Sequence, residues 1–359
     1  NLTRWELEIE LSGDKEMLDV IQFQKKEANT AFSRFIEKNY SDWLNGKNKD
    51  KPVMSHTLLR EELFPLLNES NNIYLIVLDN MRFDQWKTLQ PVIEEMFKTE
   101  KENLYYSILP TTTQYARNAL FAGLLPSEIG KKYPQLWIDE DEEGSKNPYE
   151  KELLGEYLKR FGYDIKFSYN KILNLTAGKK LVENMFNLVN NKLNVIVYNF
   201  VDMFSHARTE MDIIKELAED EPAYRSLTLS WFKHSPLYDM IQFIYEKKGT
   251  ILFTTDHGSV KVTDPVKVIG DKNTNTNLRY KIGKNLQYNQ KEVYSVKNPA
   301  EIFLPRLNVS TTYIFCKNND FFVYPNNYNY YVSYYRSTFQ HGGISLEEMI
   351  VPVITLKPR

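Results

Sequence analysis

The sequence predicts an α/β protein: a largely parallel sheet with helices on both faces, preceded by a small helical bundle and carrying an inserted antiparallel or irregular subdomain. Three observations carry this reading. Apolar runs of strand length recur at 73–78, 104–109, 164–169, 193–201, 250–255 and 349–356, and they are continuous, as in strands buried on both faces. Between them, 90–97, 113–122, 149–161, 178–190 and 224–246 space their apolar residues at helical intervals. Residues 1–60 lack such runs.

Taken in order, Trp5, Leu7, Ile9 and Leu11 open the helical segment, Met17, Leu18, Ile21 and Phe23 continue it, and Phe32, Phe35, Ile36, Tyr40, Trp43 and Leu44 complete it. The polar stretch 45–52, holding Gly46 and Pro52, breaks the pattern. We therefore read 1–60 as a helical module, with His56 a structural or surface residue, and 61–359 as the functional domain. Within it, 260–335 loses the strand–helix rhythm and reads as an insertion of short antiparallel strands. The acidic stretch 139–148 reads as a solvated loop. Its acids are consecutive rather than alternate, which does not suit a calcium loop.

Composition narrows the function classes. With 45 basic and 47 acidic residues, the net charge of −2 provides no global attraction to nucleic acid or an anionic membrane, so any phosphate must be held locally. The apolar runs are far shorter than the roughly 18–20 residues that span a bilayer. A single cysteine excludes an intrachain disulfide framework and fits a reducing, cytoplasmic setting. The chain begins with Asn rather than Met, and an upstream segment is expected.

The candidate chemistry sits at the ends of the apolar runs, where open α/β sheets gather their ligands. Asp79 follows the first run, Asp202 and His206 follow 193–201, Asp256 and His257 follow 250–255, and His341 precedes the last. Thr113 closes Pro110-Thr-Thr-Thr ahead of a helical stretch, with Thr112 an alternative. Asp202, His206 and His341 suit one ion; Asp79, Asp256 and His257, with the Thr113 hydroxyl, suit a second. Two divalent ions bring +4, and three carboxylates with one threonine alkoxide bring −4, leaving a neutral centre able to clamp a phosphate. Metal coordination would make the otherwise weak threonine hydroxyl a nucleophile. Arg82, Arg117 and Asn118 are candidate phosphate contacts. Each segment alone has a plainer reading, as an N-cap, a turn aspartate or a strain-relieving glycine loop. Their joint position at strand ends favours the metal centre.

These residues resemble the alkaline phosphatase superfamily. The segment from Pro110-Thr-Thr-Thr113 through Gly123 and Pro126 is similar to the nucleophile segment of nucleotide pyrophosphatase/phosphodiesterases, with Ala116 where that family carries Asn. Asp79-Asn-Met-Arg82, Thr254-Thr-Asp-His-Gly258 and the overall order more closely resemble the PglZ domain, and the helical module in front resembles PglZ-containing response regulators of the PorX type in Bacteroidetes. The resemblance implies a zinc-dependent phosphodiesterase with two ions, hydrolysing cyclic or linear oligonucleotides through Thr113. It further implies an upstream receiver domain with a cognate histidine kinase, homodimerisation on activation, and control of type IX secretion through a sigma factor or secretion-system partner. Two other functions fit the same residues: a phosphomonoesterase or phosphomutase, which would need more cations around the phosphate, and a non-catalytic nucleotide-sensing dimerisation module.

Overall fold

The computed structural model describes residues 1–359 other than 49, 141, 143, 200, 202–215, 219, 272 and 273. Its centre is a six-stranded sheet formed by β1 (Ile73–Leu78), β2 (Phe97–Tyr106), β3 (Phe167–Ile172), β4 (Leu193–Tyr198), β5 (Thr250–Thr254) and a last strand, Ile350–Pro358. β1 runs parallel to both β4 and β5, and β3 parallel to β4, whereas the last strand lies antiparallel between β5 and β2. The expected α/β class with a largely parallel sheet is what the fold shows.

Continuous apolar sequence makes sense of this placement. Every residue of β1, β4 and β5 is buried, and successive side chains point to opposite faces. Leu75, Val77, Val195 and Leu252 pack with Leu120, Phe121 and Leu153 on one face. Tyr74, Ile76, Ile196 and Phe253 pack with Trp86, Phe232 and Ile241 on the other.

The helical front consists of α1 (Leu2–Ser12) and α2 (Lys15–Leu44), joined at Gly13 with φ 71°. Phe32, Ile36, Tyr40 and Trp43 of α2 enter the first of the two cores. Between β5 and the last strand lie β6 (Val260–Lys261), β7 (Asp264–Ile269), β8 (Tyr280–Gly283), β9 (Gln287–Tyr288), β10 (Val293–Val296), β11 (Thr312–Cys316), β12 (Asp320–Val323) and β13 (Phe339–Gln340), so the last strand is β14. They form small sheets, mostly antiparallel, with β7 and β12 parallel.

Some elements differ from the expected bounds. The strand expected at 104–109 begins at Phe97, because residues 98–103 are polar and their side chains leave a sheet edge for solvent. Its neighbouring helix accordingly lies earlier, at Phe83–Ile93. The helix expected over 224–246 is two, Glu221–Lys233 and Pro236–Glu246, because Pro236 cannot donate to a preceding turn.

Candidate metal centre and its cavity

β1 and β5 are neighbours, so the turns that follow them meet. Asn80, in the left-handed region at φ 63°, turns the chain directly after Asp79, a conformation asparagine tolerates better than most residues. The Asn80 N–H donates to Asp256 Oδ1 at 3.3 Å, and the Met81 N–H donates to Thr255 Oγ1 at 3.0 Å. Asp79, Asp256 and His257 are fully buried, and each offers a ligand atom within 4.8 Å of the others.

Thr113 joins this group as the first residue of a π-helical turn, Thr113–Arg117, that continues into the helix Asn118–Ala122. Its hydroxyl lies 3.4 Å from Asp79 Oδ1 and 3.3 Å from His257 Nε2. His257 Nε2 is 3.7 Å from both Asp79 Oδ1 and Asp256 Oδ2. Donors bound to one zinc at about 2.0–2.2 Å in tetrahedral array lie roughly 3.3–3.6 Å apart. The four separations of 3.3–3.7 Å lie close to that spacing, so the donors suit a single ion. Asp256 Oδ2 is buried without a hydrogen-bond partner among the described residues, as a carboxylate oxygen meant for a cation would be.

The two histidines are presented alike. His257 Nδ1–H donates to the Gly258 carbonyl at 3.1 Å and His341 Nδ1–H to the Thr111 carbonyl at 3.2 Å, so in each ring the nitrogen that would serve an ion is Nε2. The pairing of β13 with β6 sets His341 beside His257, and their rings stack with centroids 4.4 Å apart. Thr111 fixes this arrangement, since its hydroxyl accepts from the Gly342 N–H and donates to the Gly343 carbonyl, both at 3.0 Å. Gly258 is a site of close approach, because a Cβ there would stand 2.0 Å from the Glu347 carbonyl oxygen.

Arg117 is the electrostatic partner of the carboxylates. Its Nη1 lies 2.7 Å from Asp79 Oδ2 and 3.7 Å from Asp256 Oδ2, and its Nε donates to Glu150 Oε1 at 2.6 Å. Burial works against its charge, but Asp79, Glu150 and Asp256 together hold it more firmly protonated than an ordinary arginine. Burial likewise opposes ionisation of Asp256, yet His257, Arg117 and the Asn80 N–H keep its carboxyl below the usual range.

A cavity of about 630 Å³ opens beside the group, its wall including Thr112, Thr113, Arg117 and His341. Thr112 is buried, and its hydroxyl has no hydrogen-bond partner among the described residues. Arg82 and Asn118 do not line this cavity. The turn at Asn80 carries Arg82 away, to a buried site where Nε donates to Asp84 Oδ1 at 2.8 Å and the guanidinium lies over Phe339. Asn118 is buried and donates to the Lys146 carbonyl at 3.1 Å. Asp202 and His206 lie outside the described residues. The stretch 139–148, read as a solvated loop, instead helps wall the cavity through Ser145, Lys146, Asn147 and Pro148. Sequence reasoning passed over Asn147, Glu150, Tyr169, Lys171 and Asn199, all at this cavity. The expected runs, 164–169 and 193–201, end at neither Lys171 nor Asn199.

The chain belongs to the PglZ family of alkaline phosphatase-like domains: residues 58–356 match the BREX system PglZ alkaline phosphatase-like domain. Residues 1–44 match the PorX response regulator linker domain, in keeping with the resemblance of the helical module. No curated protein matches the sequence. Among solved structures, the chain is similar to human ectonucleotide pyrophosphatase/phosphodiesterase 5, at 11% identity and TM-score 0.53 over 79% of this chain and 87% of that one. It is also similar to the murine counterpart, at 12% identity and TM-score 0.54 over 80% and 88%. An inactive variant of the murine protein in complex with AMP aligns at 11% identity and TM-score 0.53 over 80% and 88%. At such identities the likeness is one of fold. Among the described residues no helix is long and apolar enough to cross a membrane.

Proposed function

We propose that the protein is a zinc-dependent phosphodiesterase, the effector of a two-component response regulator, acting on cyclic or linear oligonucleotides. The observation that carries this reading is the Thr113 hydroxyl set between Asp79 and His257 at 3.4 and 3.3 Å. An ion held by Asp79, Asp256, His257 and Thr113 would supply the Lewis acidity that makes a hydroxyl nucleophilic near neutral pH. Thr113 Oγ1 would then form its bond to phosphorus as the ester P–O bond breaks, the hydroxyl proton passing to solvent and the departing alkoxide taking one up; water would later cleave the phosphothreonine ester, its proton restoring the hydroxyl and its oxygen leaving on the phosphate. Arg117 holds Asp79 and Asp256 in position and offsets their charge. His341, stacked on His257, presents Nε2 for a second ion, for which Asp202 and His206 are the remaining proposed ligands. The AMP found with the murine structural neighbour supports a nucleotide-type substrate.

The diester is favoured over a monoester because Arg117, the guanidinium at the cavity, is already committed to carboxylates. The PorX linker match supports an upstream receiver domain phosphorylated by a histidine kinase, dimerisation on activation, and a role in type IX secretion through a sigma factor or secretion-system partner.

Thr113→Val is expected to lower the rate of bis-p-nitrophenyl phosphate hydrolysis at least about a hundredfold, with zinc bound more weakly but still held at saturating concentration by Asp79, Asp256 and His257, while Thr112→Val keeps most of the rate and binds zinc as the parent does. Full activity in Thr113→Val would overturn the nucleophile assignment.

A further inference from the structure

Three cationic side chains line the cavity among the described residues: Arg117, Lys146 and Lys171. Arg117 is taken up by Asp79 and Glu150. Lys146 turns back onto its own loop, donating to the carbonyls of Asp139 and Glu142. Lys171 is placed differently. It is the penultimate residue of β3, opposite Val197 of β4, with its ammonium 3.2 Å from Glu150 Oε2 and 3.2 Å from the Asn147 carbonyl. An ammonium carries three N–H donors, so one remains for the cavity.

Lys171 is also poorly neutralised. Its only ion-pair partner among the described residues, Glu150, is shared with Arg117 and with the Tyr169 hydroxyl. Asp79, Asp256 and Glu150 bring −3 against +2 from Arg117 and Lys171. One divalent ion at Asp79, Asp256 and His257 turns that −1 into +1. Loading the centre therefore leaves a surplus positive charge, and of the two cations that share Glu150, Lys171 is the one with no second carboxylate partner among the described residues.

The position of the ammonium says what it meets. Asp79 contacts Arg117, Arg117 contacts Glu150, and Glu150 contacts Lys171, so Lys171 stands beside the reacting position rather than on it. Next to it, on the neighbouring strand end, Asn199 donates its N–H to the Ile172 carbonyl at 3.1 Å and lines the same cavity. The Asn199 side-chain oxygen is buried with no hydrogen-bond partner among the described residues, which leaves an acceptor awaiting a donor such as a sugar hydroxyl. A volume of about 630 Å³ exceeds what one phosphate fills and falls in the range of small-molecule sites.

We propose that Lys171, with Asn199 beside it, forms a subsite for the phosphate next to the scissile one, so that the cavity selects nucleotide chains with a second phosphate over isolated diesters. This rests on the phosphodiesterase reading for the word scissile; the subsite itself can be measured by binding alone. The probes are diadenylate and diadenylate bearing an extra phosphate at its 5′ or its 3′ end, titrated by calorimetry into the zinc-loaded full chain carrying Thr113→Val. An added charge-assisted contact predicts that one of the phosphorylated probes binds about tenfold or more tighter than the bare one. That ratio is expected to collapse towards one in the additional variant Lys171→Met and to recover in Lys171→Arg. A purely structural role for Lys171 would weaken all probes alike and leave the ratio intact, which would overturn the proposal, as would equal binding of all three probes before substitution. Absence of turnover of every probe by the zinc-loaded chain with Thr113 intact, with the binding ratio preserved in Thr113→Val, would sink the enzymatic reading and leave the subsite standing.

Discussion

At the scale of single residues, Gly258 ties the proposed ligand His257 to the scaffold. It follows His257, receives that ring's Nδ1–H on its carbonyl, and donates its own N–H to the Glu348 carbonyl at 3.1 Å. Because a Cβ would collide with the Glu347 backbone, Gly258→Ala is expected to cost roughly 1–3 kcal/mol of stability and to weaken zinc binding, as read by denaturant unfolding and metal titration. Unchanged zinc affinity with lowered stability would show that His257 does not depend on this contact. The contributors to the centre differ in how legible they are from sequence. Asp79, Asp256 and His257 could be read because each directly ends an apolar run, and Thr113 because it opens a helical stretch. Glu150 and Thr111 could not: one looks like a first-turn acid and the other like a turn residue, and their partners lie 33 and 232 positions away. Arg82 misleads for the reverse reason. It is three residues from Asp79 in sequence, but one left-handed residue between them redirects the chain.

At the scale of elements, the attachment of α2 is built on charge as well as apolar packing. Lys25 lies 3.0 Å from Glu6, 2.8 Å from Glu221 and 3.8 Å from Glu347. Burial works against its charge, but the three carboxylates keep it more strongly protonated than a free lysine. Four residues along, the buried Asn29 donates to Glu347 Oε2 at 2.9 Å and accepts from the Leu346 N–H at 2.7 Å. α2 therefore grips the backbone that packs over Gly258. Asn29→Ala leaves a buried donor and acceptor unmatched, and a loss of about 1–3 kcal/mol is expected, together with faster hydrogen exchange at 345–348. Exchange as slow as in the parent would sever this link between the linker helix and the centre. None of it was visible in periodicity, which reports that a helix has an apolar stripe but not which distant loop its polar residues hold. The same limit hid β2, whose polar sequence becomes a strand only because β14 offers it an edge.

For the molecule as a whole, the candidate centre is a product of the complete sheet, since its proposed ligands come from segments at 79, 113, 256 and 341. Zinc should therefore report on global folding. An ion at a hundred times its dissociation constant adds about 2.7 kcal/mol, so saturating zinc is expected to raise the melting temperature by several degrees, chelation to reverse it, and Asp256→Asn to abolish it. A melting temperature indifferent to zinc would mean that the donors do not act together. The sheet's wiring also bears on biosynthesis. β2 is made early, yet its partner in the sheet is β14, some 250 residues later, so a ribosome must release Ile350–Pro358 before β2 can dock. Until then the nascent chain carries an unclosed margin and a half-assembled cation trap, and translation of the final nine residues of that strand becomes the step that commits the polypeptide to function.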